Sequence, residues 1–96
     1  IGNNVVIQYD DMDFGSKGTS HLKLLGRAPS GANTIQLRFL PQDDAQAQEI
    51  ITILEINQCG DYQLFDFDFA NVKGLQKVSF VFLPGCNFDF KDFIFS

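Results

Sequence analysis

Phenylalanine residues at alternate positions are the feature that most constrains what this chain can fold into. Nine of its eleven Phe residues lie in three runs near the C-terminal end, Phe65–Phe69, Phe80–Phe82 and Phe88–Phe95. In the first two runs large rings alternate with polar or smaller residues, and a period of two places the rings of a β-strand on one face. Such rings can fill the space between two packed sheets. The C-terminal half is therefore typical of a β-sandwich core.

The rings expected to point inward are those at the alternating positions. They are Phe65, Phe67, Phe69, Phe80, Phe82, Phe93 and Phe95. In the third run Lys91-Asp92 interrupts the alternation, which predicts a β-bulge and leaves open the direction in which Phe88 and Phe90 point.

Turn residues divide the chain into short apolar segments that favour strands. The predicted strands are Val5–Tyr9, Ser20–Leu25, Thr34–Leu40, Ile50–Ile56, Tyr62–Phe69, Gln76–Leu83 and Phe88–Phe95. We expect Asp10–Gly18 to form a loop, Gly26 to end the second strand, and residues 41–48 to form a loop or one helical turn. About seven strands without a convincing helix predict an all-β jelly roll or β-sandwich of two antiparallel sheets.

The length and net charge of the chain limit the number of domains and the kinds of partner that we expect. Ninety-six residues allow one domain, residues 1–96, with a single core. A net charge of −5 disfavours nucleic acid, which needs a clustered positive field, so no nucleic-acid partner is expected. No apolar run approaches the roughly 20 residues that span a bilayer, so no membrane partner is expected either.

The two cysteines fit neither a disulfide-rich scaffold nor a zinc site. Cys59 and Cys86 fall in two predicted loops that we assign to the same end of the sandwich. A disulfide between them is one alternative, and free thiols are the default expectation.

The residues that could carry out catalysis form no recognisable catalytic motif. His21 is the only histidine, lies in a predicted strand without a Ser or Cys motif beside it, and is expected to face solvent. Asp66 and Asp68 are two residues apart, so they point to the same side of one strand. The carboxylate pair of a glycosidase instead flanks the scissile bond. A solvated strand face is the better interpretation, and the domain is not expected to be an enzyme.

Acidic residues near the N-terminal end raise the question of a metal. Asp10, Asp11 and Asp13 lie close together but lack the central Gly and distal Glu of a helical calcium loop. No cofactor is expected, and an irregular, oxygen-rich calcium site remains as an alternative.

Candidate binding residues lie where loops meet strands. Tyr62 follows Gly60-Asp61, and Asn87 and Asp89 flank the entry to the last strand. Sugar-binding surfaces combine an exposed ring, which covers the C–H face of the sugar, with amide or carboxylate groups for its hydroxyls. The alternative is that Tyr62 only plugs the sandwich end and that Asn87 is a turn residue.

The order and spacing of several segments resemble a family 6 carbohydrate-binding module, a β-jelly roll, over nearly the whole chain. The segments are Gly2–Val5, Ala28–Phe39, Gly60–Phe65, Val78–Phe82 and Asn87–Phe95. Two further segments, Tyr9–Gly15 and Phe80–Gly85, are similar to the modules at the C-terminal end of family 2 β-galactosidases.

The resemblance implies a ligand cleft at the loop end of the sandwich. Its aromatic residue corresponds to Tyr62, and its last-strand Asn corresponds to Asp89, with Asn87 nearby. A second aromatic residue of such modules precedes Gly2. Their structural calcium uses a last-strand Asp where this chain has Lys91, whose charge disfavours the ion, although Asp92 takes that place if the register is shifted by one.

The resemblance also implies a role. It predicts a non-catalytic accessory domain of a β-galactosidase-like glycoside hydrolase, with carbohydrate and the catalytic domains of the same polypeptide as partners. The alternative is a degenerate structural domain that packs against the enzyme and binds no sugar. We further expect the chain to be a C-terminal piece of a longer polypeptide, with its first strand supplied by preceding residues or by a neighbouring copy.

Overall fold

A computed structural model describes residues 5–29, 31–42, 48–83 and 87–96 of the chain. Within these ranges the chain forms seven strands. They are β1 (Val5–Asp13), β2 (Thr19–Ala28), β3 (Asn33–Pro41), β4 (Ile50–Ile56), β5 (Cys59–Val72), β6 (Leu75–Phe82) and β7 (Asp89–Phe95). The described part contains no helix of the length and apolarity that a membrane crossing requires.

The strands form two antiparallel sheets that pack face to face. One sheet has four strands in the order β1-β6-β3-β4, and the other has three in the order β5-β2-β7. Every pairing within the two sheets is antiparallel. The predicted all-β sandwich of two antiparallel sheets is confirmed.

The core lies between the sheets and follows the period-two pattern. Alternate residues of the central strands β2, β3 and β6 are buried. The largest fully buried ones are Leu22, Leu24, Ile35, Leu37, Phe39, Val78, Phe80 and Phe82. Each such side chain contributes roughly 1.5–3 kcal/mol through its removal from water, so these strands supply most of the stability.

The predicted inward rings do point toward this core. Phe80 and Phe82 are completely buried. The other five, Phe65, Phe67, Phe69, Phe93 and Phe95, are partly buried and pack against the core cluster.

The two undecided rings also point inward, and a bulge explains how. Phe88 is completely buried, and Phe90 packs against the core. The pairing of β2 with β7 shifts register between Leu25 and Gly26, where Asp92 and Phe90 are the partners. Lys91 is the extra residue at this shift. The bulge therefore lets Phe90 and Phe93 face the same side although they are three residues apart.

The first strand is longer than predicted, so the expected loop over Asp10–Gly18 is wrong for its first part. Strand β1 continues to Asp13 and pairs with β6 on both sides of an irregularity between Tyr9 and Met12. Asp11 there has a φ of 57°. Asp tolerates this left-handed conformation, so the chain bulges at Asp11 and then resumes its pairing.

The second strand does not end at Gly26, as predicted, but continues to Ala28. A side chain at Gly26 would overlap the ring of Phe88. The glycine is therefore needed for close packing of the Phe88 ring within the strand and does not mark a turn.

Several predicted features involve residues outside the described ranges. Ser30 of the predicted turn, residues 43–47 of the polar segment, and residues 84–86, which include Cys86, belong to this group. The prediction for residues 43–47 and the pairing of Cys59 with Cys86 stay untested. The expected loop positions are wrong for Pro41, which ends β3, and for Cys59, which begins β5 and pairs with Ala28.

Candidate functional site

The outward face of the three-stranded sheet carries two clusters of interacting polar side chains. Strand β2 lies in the middle of this sheet, and the residues between its buried positions point away from the core. They are His21, Lys23, Leu25 and Arg27. Because β5 and β7 flank β2, side chains from three strands meet on this face.

One group on this face, the Tyr62 cluster, comprises Arg27, Tyr62, Asp89 and Lys91. The Tyr62 side chain is 45% exposed. The guanidinium carbon of Arg27 lies over its ring, 4.8 Å from the centroid. The Lys91 ammonium nitrogen also lies over the ring, at 5.1 Å. The cluster is thus an exposed aromatic ring with two cations around it.

Strand register and two irregularities bring these residues together. Arg27 pairs directly with Asp89 across β2 and β7. On the other side, Gly26 pairs with Gln63 and Ala28 with Cys59, so β5 contains extra residues opposite Arg27. This irregularity in β5 includes Gly60, Asp61 and Tyr62, and the bulge in β7 includes Lys91. Bulges of this kind redirect side chains, and here two of them supply residues to one cluster.

An ion pair between Arg27 and Asp89 forms the base of the cluster. The Nε and Nη2 atoms of Arg27 donate hydrogen bonds of 2.8 and 2.6 Å to Oδ2 of Asp89. The hydrogen bonding that Arg27 donates to Asp89 is the main cause that raises the pKa of Arg27. Arg27 is therefore cationic at any pH of interest. Asp89 Oδ1 and Arg27 Nη1 have no hydrogen-bond partner among the described residues.

Asn87, the third predicted site residue, lies at the loop end of the sandwich just ahead of β7. Its side chain is exposed, and its backbone N–H donates a 2.7 Å hydrogen bond to Oδ1 of Asn33. Asn33 itself is buried at the start of β3. The bond fixes the entry to β7 against the four-stranded sheet, two residues before Asp89.

An apolar depression adjoins the cluster on the same face. It has a volume of about 260 Å³ and is lined by Lys23, Leu25, Leu64, Asp92, Phe93 and Ile94. Leu64 is 57% exposed and Ile94 is 62% exposed. Leu64 follows Tyr62 by two residues along β5, so the depression and the Tyr62 cluster are neighbours.

The second polar group, the His21 triad, lies farther along the same face. His21 Nδ1 is 2.7 Å from Asp68 Oδ1, and its Nε2 is 2.9 Å from Asp66 Oδ1. The hydrogen bond to Asp68, and then that to Asp66, raises the pKa of His21 above its ordinary value of 6.5. Both ring nitrogens donate when the imidazole is protonated, so the triad is an ion cluster.

The structure confirms that Asp66 and Asp68 share one side of a strand, and it adds a partner that sequence reasoning missed. His21 is 45 and 47 residues away from them in the chain, so no local pattern indicated the contact. Arg27 was also missed, because its role depends on the register between β2 and β7. The alternation along β2 was the available signal that Arg27 faces outward.

The described residues contain no group of three or more His, Cys, Asp or Glu side chains that could hold a metal ion. Asp13 accepts a hydrogen bond from the Gly15 N–H, and Asp10 accepts one from Gln8. Lys91 stands where the resemblance implies a calcium-binding Asp, and its ammonium group lies over the Tyr62 ring. A calcium ion was an alternative from the sequence, and it stays an untested one.

Comparison with known proteins identifies relatives by structure alone. Neither a protein-family model nor a curated protein sequence matches the chain. A similar solved structure is CsCBM6-3 from Clostridium stercorarium, in complex with cellobiose, with a TM-score of 0.79 and 21% identity. The alignment covers 100% of this chain and 70% of that one.

Two other solved structures show the same similarity. One is a family 6 carbohydrate-binding module from Clostridium cellulolyticum, in complex with xylose, with a TM-score of 0.78 and 22% identity over 100% of this chain and 74% of that one. The other is a family 43 arabinoxylan arabinofuranohydrolase from Bacillus subtilis, in complex with cellotetraose, with a TM-score of 0.78 and 22% identity. There the alignment covers 100% of this chain and 20% of the longer enzyme.

These similarities establish the fold. The chain has the jelly-roll β-sandwich of family 6 carbohydrate-binding modules, the family that its sequence resembles. None of the three structures is a family 2 β-galactosidase, and that part of the prediction stays a prediction. At 21–22% identity the fold is what these structures and this chain have in common.

Proposed function

We propose that this domain is a non-catalytic carbohydrate-binding accessory domain and that it binds sugar at the Tyr62 cluster. The observation that carries the proposal is the exposure of the Tyr62 ring beside Arg27. Arg27 in turn donates hydrogen bonds to Asp89. A ring that only plugged the sandwich end would be buried. Tyr62 instead presents aromatic surface to solvent next to charged hydrogen-bonding groups.

The chemistry of the cluster suits a sugar. The phenol ring covers the apolar C–H face of a pyranose. Asp89 Oδ1 can accept a hydrogen bond from one hydroxyl, and Arg27 Nη1 can donate to another. The Arg27–Asp89 ion pair holds both groups in place before a ligand arrives, which lowers the ordering cost of binding. Asn87, at the entry to β7, is a candidate for a further hydrogen bond.

The solved relatives support this class of ligand. Two carbohydrate-binding modules of the same fold are in complex with cellobiose and with xylose. The family 43 enzyme shows the fold within a much longer glycoside hydrolase chain. We infer a comparable arrangement here, with a β-galactosidase-like hydrolase as the parent enzyme and its catalytic domains as partners. The choice of a β-galactosidase rests on the resemblance of Tyr9–Gly15 and Phe80–Gly85.

Binding by this site should be weak. A single ring with a few solvent-exposed hydrogen bonds buries little area, and water competes for each polar contact. We expect dissociation constants on the order of 0.1–1 mM. The domain has no catalytic role in this proposal. Its paired carboxylates Asp66 and Asp68 both bind His21 on one side of β5, so they do not flank a space for a scissile bond.

Calorimetric titration with galactose- and xylose-containing oligosaccharides tests the proposal. Wild type should bind, and Tyr62→Ala should weaken binding about tenfold or more, since it removes the stacking surface. Ile53→Ala removes an exposed apolar side chain from the other sheet and serves as the control. Circular dichroism verifies that both variants are folded. If binding survives Tyr62→Ala unchanged, the site lies elsewhere.

A second candidate function is that of a structural domain that packs against the enzyme. The apolar depression favours it, because Leu64 and Ile94 expose much of their surface on one face, as residues of a protein interface do. A glycan array separates the two functions. Binding that depends on Tyr62 supports the accessory domain, and a complete lack of binding supports the structural domain.

A further inference from the structure

We propose that Lys91 makes the Tyr62 cluster selective for sugars that carry an anionic substituent, either a uronate carboxylate or a sulfate ester. This inference rests on the proposed function and specifies its ligand class. It begins from an unusual coincidence, since two cations lie over one exposed aromatic ring in a protein of net charge −5.

The two cations differ in how their charges are satisfied. Arg27 donates two hydrogen bonds to Asp89 and forms an ion pair with it. Lys91 forms no ion pair with any described residue, and its ammonium group lies over the Tyr62 ring. Its neighbour Asp92 directs Oδ1 toward the backbone N–H of Phe93 at 2.8 Å. Two carboxylates thus act on Arg27, Asp89 through hydrogen bonds and Asp61 through its charge, whereas Lys91 forms no ion pair with a described residue.

The position of Lys91 is what distinguishes it from other surface lysines. No other described lysine lies over an aromatic ring. Its place in the β7 bulge sets it above the surface on which a sugar would stack. The bulge therefore supplies a specificity group to the ring.

A sugar on the Tyr62 ring must displace the Lys91 ammonium group but keeps it within reach. Stacked carbon atoms lie about 3.5–4 Å apart, and the ammonium nitrogen is 5.1 Å from the ring centroid. The flexible four-carbon stem of lysine lets the ammonium move from the ring to the sugar's edge. Exposed cation–π contacts are weak, so the ammonium group readily leaves the ring for a better partner.

An anionic substituent is that better partner. A neutral hydroxyl accepts a hydrogen bond from the ammonium group but brings no opposite charge, and little is gained over the cation–π contact. A carboxylate or sulfate adds Coulomb attraction between opposite charges to that hydrogen bond. Arg27 Nη1, which has no partner in the described part of the chain, adds a second donor to the same anion. The arrangement therefore favours an acidic sugar over its neutral counterpart.

The test compares three trisaccharides built on galactose-type rings, two with anionic substituents and one neutral. NMR titrations at low ionic strength would use trigalacturonate, a galactose trisaccharide with sulfate esters, and neutral galactotriose. Either anionic ligand should bind about tenfold more tightly than the neutral one, and this ratio should fall as salt is added. Comparison of the two anionic ligands shows which anion fits better.

Variants of one position assign the effect to Lys91. Lys91→Gln keeps most of the length without the charge, and it should lower the anionic-to-neutral ratio to about one. Lys91→Arg should retain a ratio well above one. Lys23→Gln makes the same change in charge beside the apolar depression and should keep the wild-type ratio, which excludes an effect of net charge.

Two results would overturn the inference in distinguishable ways. Tyr62-dependent binding of galactotriose with no preference for either anionic ligand contradicts the role of Lys91 but leaves the proposed function standing. No binding of any of the three ligands, or of any sugar on a glycan array, contradicts the proposed function itself and the inference with it.

Discussion

The outward faces of the two sheets differ although they cover the same core. On the three-stranded sheet, charged side chains contact one another across all three strands, in the His21 triad and in the Tyr62 cluster. The outward face of the four-stranded sheet exposes Val6 (55%), Ile51 and Ile53 (49% each) beside an Arg38–Glu49 ion pair, and no described cation there lies over an aromatic ring. The fold needs only the inward positions, so the outward ones are where two such faces can diverge and where function is to be sought.

The largest expected effect concerns the inward side that both faces share. Phe80→Ala should lower the free energy of unfolding by about 3–5 kcal/mol, because Phe80 is completely buried and contacts rings from both sheets. Ile53→Ala, on the outward face of the four-stranded sheet, should cost less than about 1 kcal/mol. Urea denaturation measures both. Equal losses would mean that the inward and outward sides are wrongly assigned.

The next effect concerns the close packing beneath the Tyr62 cluster. Gly26→Ala places a methyl group against the Phe88 ring, and overpacking of this kind typically costs about 1–3 kcal/mol. Gly60→Ala is the matched control, because a side chain there meets nothing within 4 Å. Thermal unfolding of the two variants provides the comparison. A neutral Gly26→Ala would contradict the close approach of Phe88 to β2.

A smaller effect is expected from the ion pair that holds the site. Asp89→Asn removes the charge from the contact in which Arg27 donates two hydrogen bonds to one oxygen of Asp89. Both partners are about one-third exposed, so solvent screens the pair and its removal should change stability only slightly. Sugar affinity should fall about threefold to tenfold, since Arg27 loses its fixed position. Calorimetry on Asp89→Asn and on Asp92→Asn, a nearby control, would measure this, and equal effects would argue against the ion pair.

The smallest effect is a pH dependence of the His21 triad. The folded-state pKa of His21 is raised, chiefly by Asp68 and then by Asp66. The triad therefore stabilises the fold fully below pH 6.5 and loses this contribution as pH rises through the folded-state pKa. NMR titration of the His21 ring should show a raised pKa. Asp68→Asn should lower it more than Asp66→Asn does, and an unshifted pKa in wild type would contradict the contacts.

The sequence predicted the parts of the fold that depend on local pattern. Alternation placed Phe80 and Phe82 correctly, and β-branched residues placed β4 at its observed bounds. The predicted ends of β1 and β2 were wrong, because tertiary contacts overrode local turn preferences. Asp11 forms a bulge within a strand, and Gly26 makes room for the Phe88 ring.

The candidate site was predictable only in part, for a related reason. Tyr62 and Asp89 were named from their places at strand ends and from the family resemblance. Arg27, which contacts both, could not be named, because the contact depends on strand register and on the bulge in β5. A one-residue change in either register would move Arg27 away from its partners.

The most direct test of the account is to locate sugar binding on one of the two outward faces. Amide NMR spectra recorded during a titration with a galactose-containing oligosaccharide report on both faces in a single experiment. We expect progressive shifts at Arg27, Tyr62 and Lys91 and unchanged signals at Val6, Ile51 and Ile53. Shifts confined to the four-stranded face, with the Tyr62 cluster unaffected, would contradict the account.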